Sequence, residues 1–131
     1  MTRDQIVKRI WLAAGYIGIL LIVTLSLIPA TARPHTGAGG GFEHAAAYAL
    51  VGFAFGWGYR QLRPQLCSGI ALTATAATLE ALQNFVPGRN PEVLGFLSST
   101  SGAWIGLLGA ILLSSLVAWG SRKKLPEVGS D

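Results

Sequence analysis

Charge, cysteine and histidine are all scarce in this sequence. Only 12% of its 131 residues are charged, and six of them are acidic. Soluble domains carry about a quarter of their residues as Asp, Glu, Lys and Arg, so an ordinary water-covered surface is excluded. A single cysteine, Cys67, leaves no disulfide framework and no cysteine zinc cluster. It opens an apolar run and reads as a small buried or lipid-facing side chain. The two histidines, His35 and His44, make no His-x-x-x-His ligand pair, so metal binding by Glu43, His44 and Glu80 has no spacing behind it. No cofactor is implied, and no convincing repeat is present.

Apolar residues fill the space that charge leaves. They make up 51% of the chain, and mean hydropathy is +0.49. Net charge is +4, but the basic residues flank apolar runs. They read as topology determinants and contacts to anionic membrane lipids, not as a nucleic-acid surface.

The runs define one all-α domain over residues 1–131, a four-helix transmembrane bundle. Its spans cover roughly 10–28, 42–59, 66–85 and 93–120, followed by a loosely ordered tail over 121–131. Ala30-Thr31-Ala32 resembles a signal-peptide cleavage site, but Ile10 to Ile28 is long enough to cross a bilayer and reads as a membrane helix. Pro29 ends it, and the Gly37-Ala-Gly-Gly-Gly41 run makes a loop in which His35 reads as exposed. Span three is rich in Ala and Thr, so it should be sheltered, its threonines bonding to their own backbone or across helices. Arg3, Lys8, Arg9, Arg60, Arg63, Arg122, Lys123 and Lys124 fall on one side, with Arg33 and Arg89 on the other. The positive-inside rule therefore puts both termini in the cytoplasm of a cell with this chain in its plasma (inner) membrane. Trp11, Trp57, Tyr59 and Trp119 fall near the same inner interface.

This topology gathers polar residues at the outer ends of the spans. Glu80, Gln83 and Asn84 share a helix face, and Val86-Pro-Gly88 ends that helix before Arg89. Glu43 and His44 open span two, and Ser98 and Ser99 lie near the entry of span four. Together they suggest an outward-facing pocket, because ionisable residues at a membrane span are costly. Glu80 and His44 are the candidates for proton transfer, although whether any reaction is catalysed stays open. A Ser98 or Ser99 triad with His44 and Glu80 needs geometry that sequence does not display. The architectural alternative has Glu80 pinning a helix end and His44 holding two helices in register. Below the polar layer, His44, Tyr48, Gly52 and Gly56 form one stripe, and Ser98, Gly102 and Gly106 another. The Gly52/Gly56 and Gly102/Gly106 faces allow close helix approach, to each other or to a partner membrane protein.

Three segments carry a resemblance. They are Thr24-Leu-Ser-Leu-Ile-Pro29, Glu43-His44-Ala-Ala-Ala-Tyr48-Ala-Leu-Val-Gly52, and Glu80-Ala-Leu-Gln83-Asn-Phe-Val-Pro87-Gly88-Arg89, followed by the Gly102-containing span. In this order the chain resembles the VanZ-like family of small integral membrane proteins. The match falls on His44, Tyr48, Glu80, Gln83 and Arg89. It departs at two positions, Gly95 and Ser99, where members usually carry Asp and Asn. The family takes its name from low-level resistance to the glycopeptide teicoplanin. The resemblance implies fold and topology; the leading reading of the residues is a pocket that binds or modifies a lipid headgroup or cell-envelope precursor, lined by Glu43, His44, Tyr48, Glu80, Gln83, Asn84, Arg89 and Ser99, with Arg89 on an anionic group. The rival reading is a non-catalytic accessory or assembly subunit of a larger membrane complex. A small transporter is disfavoured, since no helix is broken near its midpoint.

Overall fold

The computed structural model describes residues 1–32, 37, 39–88 and 92–122. Four helices account for nearly all of them: α1 (Arg3–Leu27), α2 (Gly40–Gly58), α3 (Leu62–Leu82) and α4 (Val93–Arg122). Arg89, His35 and the tail beyond Arg122 lie outside the described residues.

The helix ends follow local chemistry. Thr2 and Gln5 form a reciprocal capping box, so α1 starts at Arg3, well before the apolar run. It stops at Ile28, ahead of Pro29, where the backbone turns extended. The spans expected over 42–59 and 66–85 leave Pro64 in the connection between them, but it lies in the first turn of α3. Proline is tolerated there because first-turn N–H groups have no partner inside the helix. Past α3, Gln83–Phe85 tighten into a 3-10 turn, and Gly88 adopts φ 74°. That left-handed conformation gives the expected sharp turn after Pro87.

The tightest interface joins α2 to α4. Ala45 and Ala49 on α2 meet Gly102 and Gly106 on α4, while Gly52 and Gly56 meet Ala103 and Leu107. These pairs advance in the same direction, so the two helices run parallel. A Cβ on Gly52, Gly102 or Gly106 would overlap the carbonyl oxygen of Ala103, Ala45 or Ala49 respectively. Backbone therefore lies on backbone. The glycine faces considered for a partner membrane protein are occupied within the chain, Gly52 and Gly56 by α4 and Gly102 and Gly106 by α2.

Helix α1 packs antiparallel on α2. Leu12 lies at Gly58, Phe55 at Gly15 and Val51 at Gly18. At one end the contact becomes aromatic: Trp11 meets Phe53 and Trp57, and the Tyr16 and Tyr59 hydroxyls are 3.1 Å apart. Helix α3 runs antiparallel to α4. The Trp104 indole donates to Thr73 at 3.1 Å and covers Gly69. Thr73, Thr75 and Thr78 each donate to a carbonyl one turn back on α3, as expected, although α3 is less sheltered than its composition suggested and Thr78 is exposed.

A buried amide fixes the α2–α3 corner. The Gln65 side chain, 6% exposed, donates to the carbonyls of Gly56 and Tyr59, each at 2.8 Å. It satisfies acceptors that the end of α2 would otherwise leave open. Gln65→Leu leaves them unpaired, and we expect it to cost about 2–4 kcal/mol, since each stranded buried group costs about 1–3. Thermal unfolding in detergent would reveal the loss, and an unchanged midpoint would refute this role.

The alternation of the four helices places the start of α1 and the end of α4 at the end that carries Arg60 and Arg63. Two helices, Arg3–Leu27 and Val93–Ser121, are long and apolar enough to cross a membrane. Helices α2 and α3 do not reach that measure. The all-α, four-helix architecture is as expected, while membrane-crossing composition belongs to two helices of the four. Large apolar side chains nonetheless point outward from every helix, among them Leu20 on α1, Leu50 on α2, Ile70 on α3 and Ile105 on α4.

Candidate functional site

The bundle end opposite the start of α1 and the end of α4 collects the polar side chains. Glu80 reaches it from the last turn of α3. Its carboxylate accepts the Glu92 backbone N–H at 2.6 Å. Glu92 stands immediately before α4, and its own carbonyl accepts the Gly95 and Phe96 N–H groups. Glu80 therefore caps α4 from another helix, with its negative charge at the positive end of the helix dipole. Gly95 makes this approach possible. A Cβ there would lie 2.9 and 3.0 Å from the two carboxylate oxygens.

Beside this contact, α3 and α4 diverge around a groove of about 350 Å3. Ala77, Ala81, Val93 and Phe96 give it apolar walls, and Glu80, Asn84 and Glu92 give it polar groups. The Asn84 amide donates to the Ala81 carbonyl at 3.0 Å. Among the described residues, the charged groups lining the groove are carboxylates.

The other expected site residues lie deeper or to one side. Ser99 is 2% exposed, and its hydroxyl is 3.4 Å from His44 Nδ1, a long and weak contact. The pair links α2 to α4, and neither residue lines the groove. Tyr48, one turn below His44, is 2% exposed in the core cluster with Leu72, Ala76 and Leu79. It lies within electrostatic reach of Glu80. Gln83 is 3% exposed, and its side-chain nitrogen has no hydrogen-bond partner among the described residues. Glu43 is half-buried in the first turn of α2. Ser98 sits against Gly41, where a Cβ would lie 3.2 Å from its hydroxyl oxygen. Of the expected set, the groove thus gathers Glu80 and Asn84. His44 and Ser99 form a second polar contact, Tyr48 and Gln83 enter the core, and Arg89 is outside the described residues. No three His, Cys, Asp or Glu side chains among the described residues come together to hold a metal ion.

Sequence reasoning missed the Glu92 N–H and the role of Gly95. Residue 92 stands directly before an apolar run, which is where a helix N-terminus needs an outside acceptor. A carboxylate twelve residues upstream could have been tried there. The chain matches no family model, no curated protein and no solved structure.

Proposed function

We propose that this chain is a VanZ-like, four-span membrane protein whose outward-facing α3–α4 groove binds a lipid headgroup or a lipid-linked envelope precursor. The observation that carries this reading is the groove itself, with Glu80, Asn84 and Glu92 set beside Phe96, Val93 and alanine walls. Such a surface suits a molecule with a polar head and an apolar tail. The carboxylates face an ammonium or hydroxyl group. The family motifs support the assignment, and so do the outward apolar side chains on all four helices. At 1.5 Å per residue, the 19 residues of α2 span about 28 Å, close to a bilayer core of about 30 Å. Glycopeptide tolerance would follow from altered handling of such a precursor.

The test uses the full chain in nanodiscs, with phosphatidylethanolamine binding followed by native mass spectrometry. Ala81→Trp fills the groove from an exposed position and leaves the Glu80 cap in place. It is expected to lower retention about tenfold, the loss of one charge-assisted contact, and Glu80→Ala should do the same. Unchanged retention in both variants would count against the groove.

One observation favours a second reading, a non-catalytic accessory subunit. The Glu80 carboxylate is already engaged as the α4 cap, which gives it an architectural task. Stoichiometric co-purification with a larger membrane assembly, together with wild-type function in Glu80→Gln, would support that reading.

A further inference from the structure

A second cavity lies at the opposite, basic end of the bundle, between the end of α2 and the last turns of α4. It holds about 200 Å3 and is lined by Trp57, Arg60, Ser114, Val117, Ala118 and Ser121. Three features define its chemistry. First, no carboxylate among the described residues pairs with Arg60, so the lining carries a positive charge. Second, the end of α2 would ordinarily repel an anion, but Gln65 already occupies the Gly56 and Tyr59 carbonyls. Third, both serine hydroxyls are committed as donors. Ser114 donates to Ile111 at 2.8 Å and Ser121 to Val117 at 3.0 Å. Their oxygens therefore face the cavity as acceptors, and a ligand must bring hydroxyl hydrogens to them.

We propose that this cavity binds a hydroxyl-bearing phosphodiester anion, the glycerol-phosphate headgroup of an acidic phospholipid, with Arg60 on the phosphate and Ser114 and Ser121 accepting from the glycerol hydroxyls. The proposal rests on the membrane reading above, and it concerns a different site in the other leaflet. Trp57 belongs to the aromatic group with Trp11 and Phe53, and such rings sit at headgroup level. A guanidinium has the planar donor fork that a phosphate takes up.

The full chain, purified in detergent, is titrated with phosphatidylglycerol, phosphatidylcholine and soluble glycerol 3-phosphate, and bound species are counted by native mass spectrometry. Phosphatidylglycerol should be preferred to phosphatidylcholine by about tenfold, as expected for a charge-assisted hydrogen-bonded contact. Arg60→Ala and the cavity-filling Ser114→Trp should each abolish that preference. Arg63→Ala should preserve it, because exposed Arg63 carries the same charge outside the cavity. Binding of glycerol 3-phosphate that is lost in Arg60→Ala supports the same anion site with a soluble source. The proposal is overturned if Arg60→Ala and Ser114→Trp keep the preference, or if Arg63→Ala loses as much. Failure of the membrane reading has its own signature: the chain would leave cell membranes in a carbonate wash.

Discussion

Gly106→Ala should lower the thermal unfolding midpoint sharply, while Gly109→Ala, less than one helical turn away, should leave it unchanged. The added methyl at 106 would overlap the Ala49 carbonyl oxygen, a backbone atom that no rotamer change can move. At 109 nothing lies within 4 Å. Overpacking of a filled interior costs about 1–3 kcal/mol, and backbone overlap belongs at the upper end of that range. Gly102→Ala meets Ala45 in the same way. The double variant, Gly102→Ala with Gly106→Ala, is expected to prevent stable folding. Thermal unfolding in detergent checks this, with Gly109→Ala as the matched control. Equal midpoints for Gly106→Ala and Gly109→Ala would mean that α2 and α4 are not in backbone contact.

The second large effect is expected at Gly95. Gly95→Asp should destabilise the fold by about 2–3 kcal/mol. The Glu80 carboxylate fills the space over Gly95, so a second carboxylate would add both crowding and like-charge repulsion. Either Glu80 swings away, leaving the Glu92 N–H unmatched, or one acid must take up a proton. Gly95→Ala is the steric control and should cost under about 1 kcal/mol, because the end of a flexible side chain can yield. A double-mutant cycle separates the terms. Adding Glu80→Ala to Gly95→Asp should recover most of the lost stability, since the introduced carboxylate can then cap α4 itself. If Gly95→Asp is harmless beside an intact Glu80, the cap described above is not the role of that carboxylate.

Several parts of this architecture were legible from spacing alone. Gly52 and Gly56, and Gly102 and Gly106, recur at four-residue intervals that allow close helix approach, and each pair is met by the facing helix. The turn at Val86-Pro-Gly88 was legible because few sequences stop a helix so abruptly. The candidate site was only partly legible. Periodicity placed Glu80, Gln83 and Asn84 on one face, but that face is wide. Asn84 is exposed, Glu80 lies at the groove, and Gln83 rotates into the core below Leu79. The chain tightens into a 3-10 turn over Gln83–Phe85, so positions past Leu82 no longer keep α-helical spacing. Gln65 was hidden for a different reason. Its partners, Gly56 and Tyr59, are backbone carbonyls, which leave no mark on side-chain spacing.

The parallel α2–α4 contact also fixes the order of assembly during biosynthesis. Its two strips of backbone are separated by the whole of α3, so a ribosome that has delivered α1, α2 and α3 has not yet made the surface that α2 needs. Until the final segment emerges, the Gly52–Gly56 strip of the nascent chain stays uncovered. Closure of the bundle is therefore a late event, with a long loop to close before its closest contacts form.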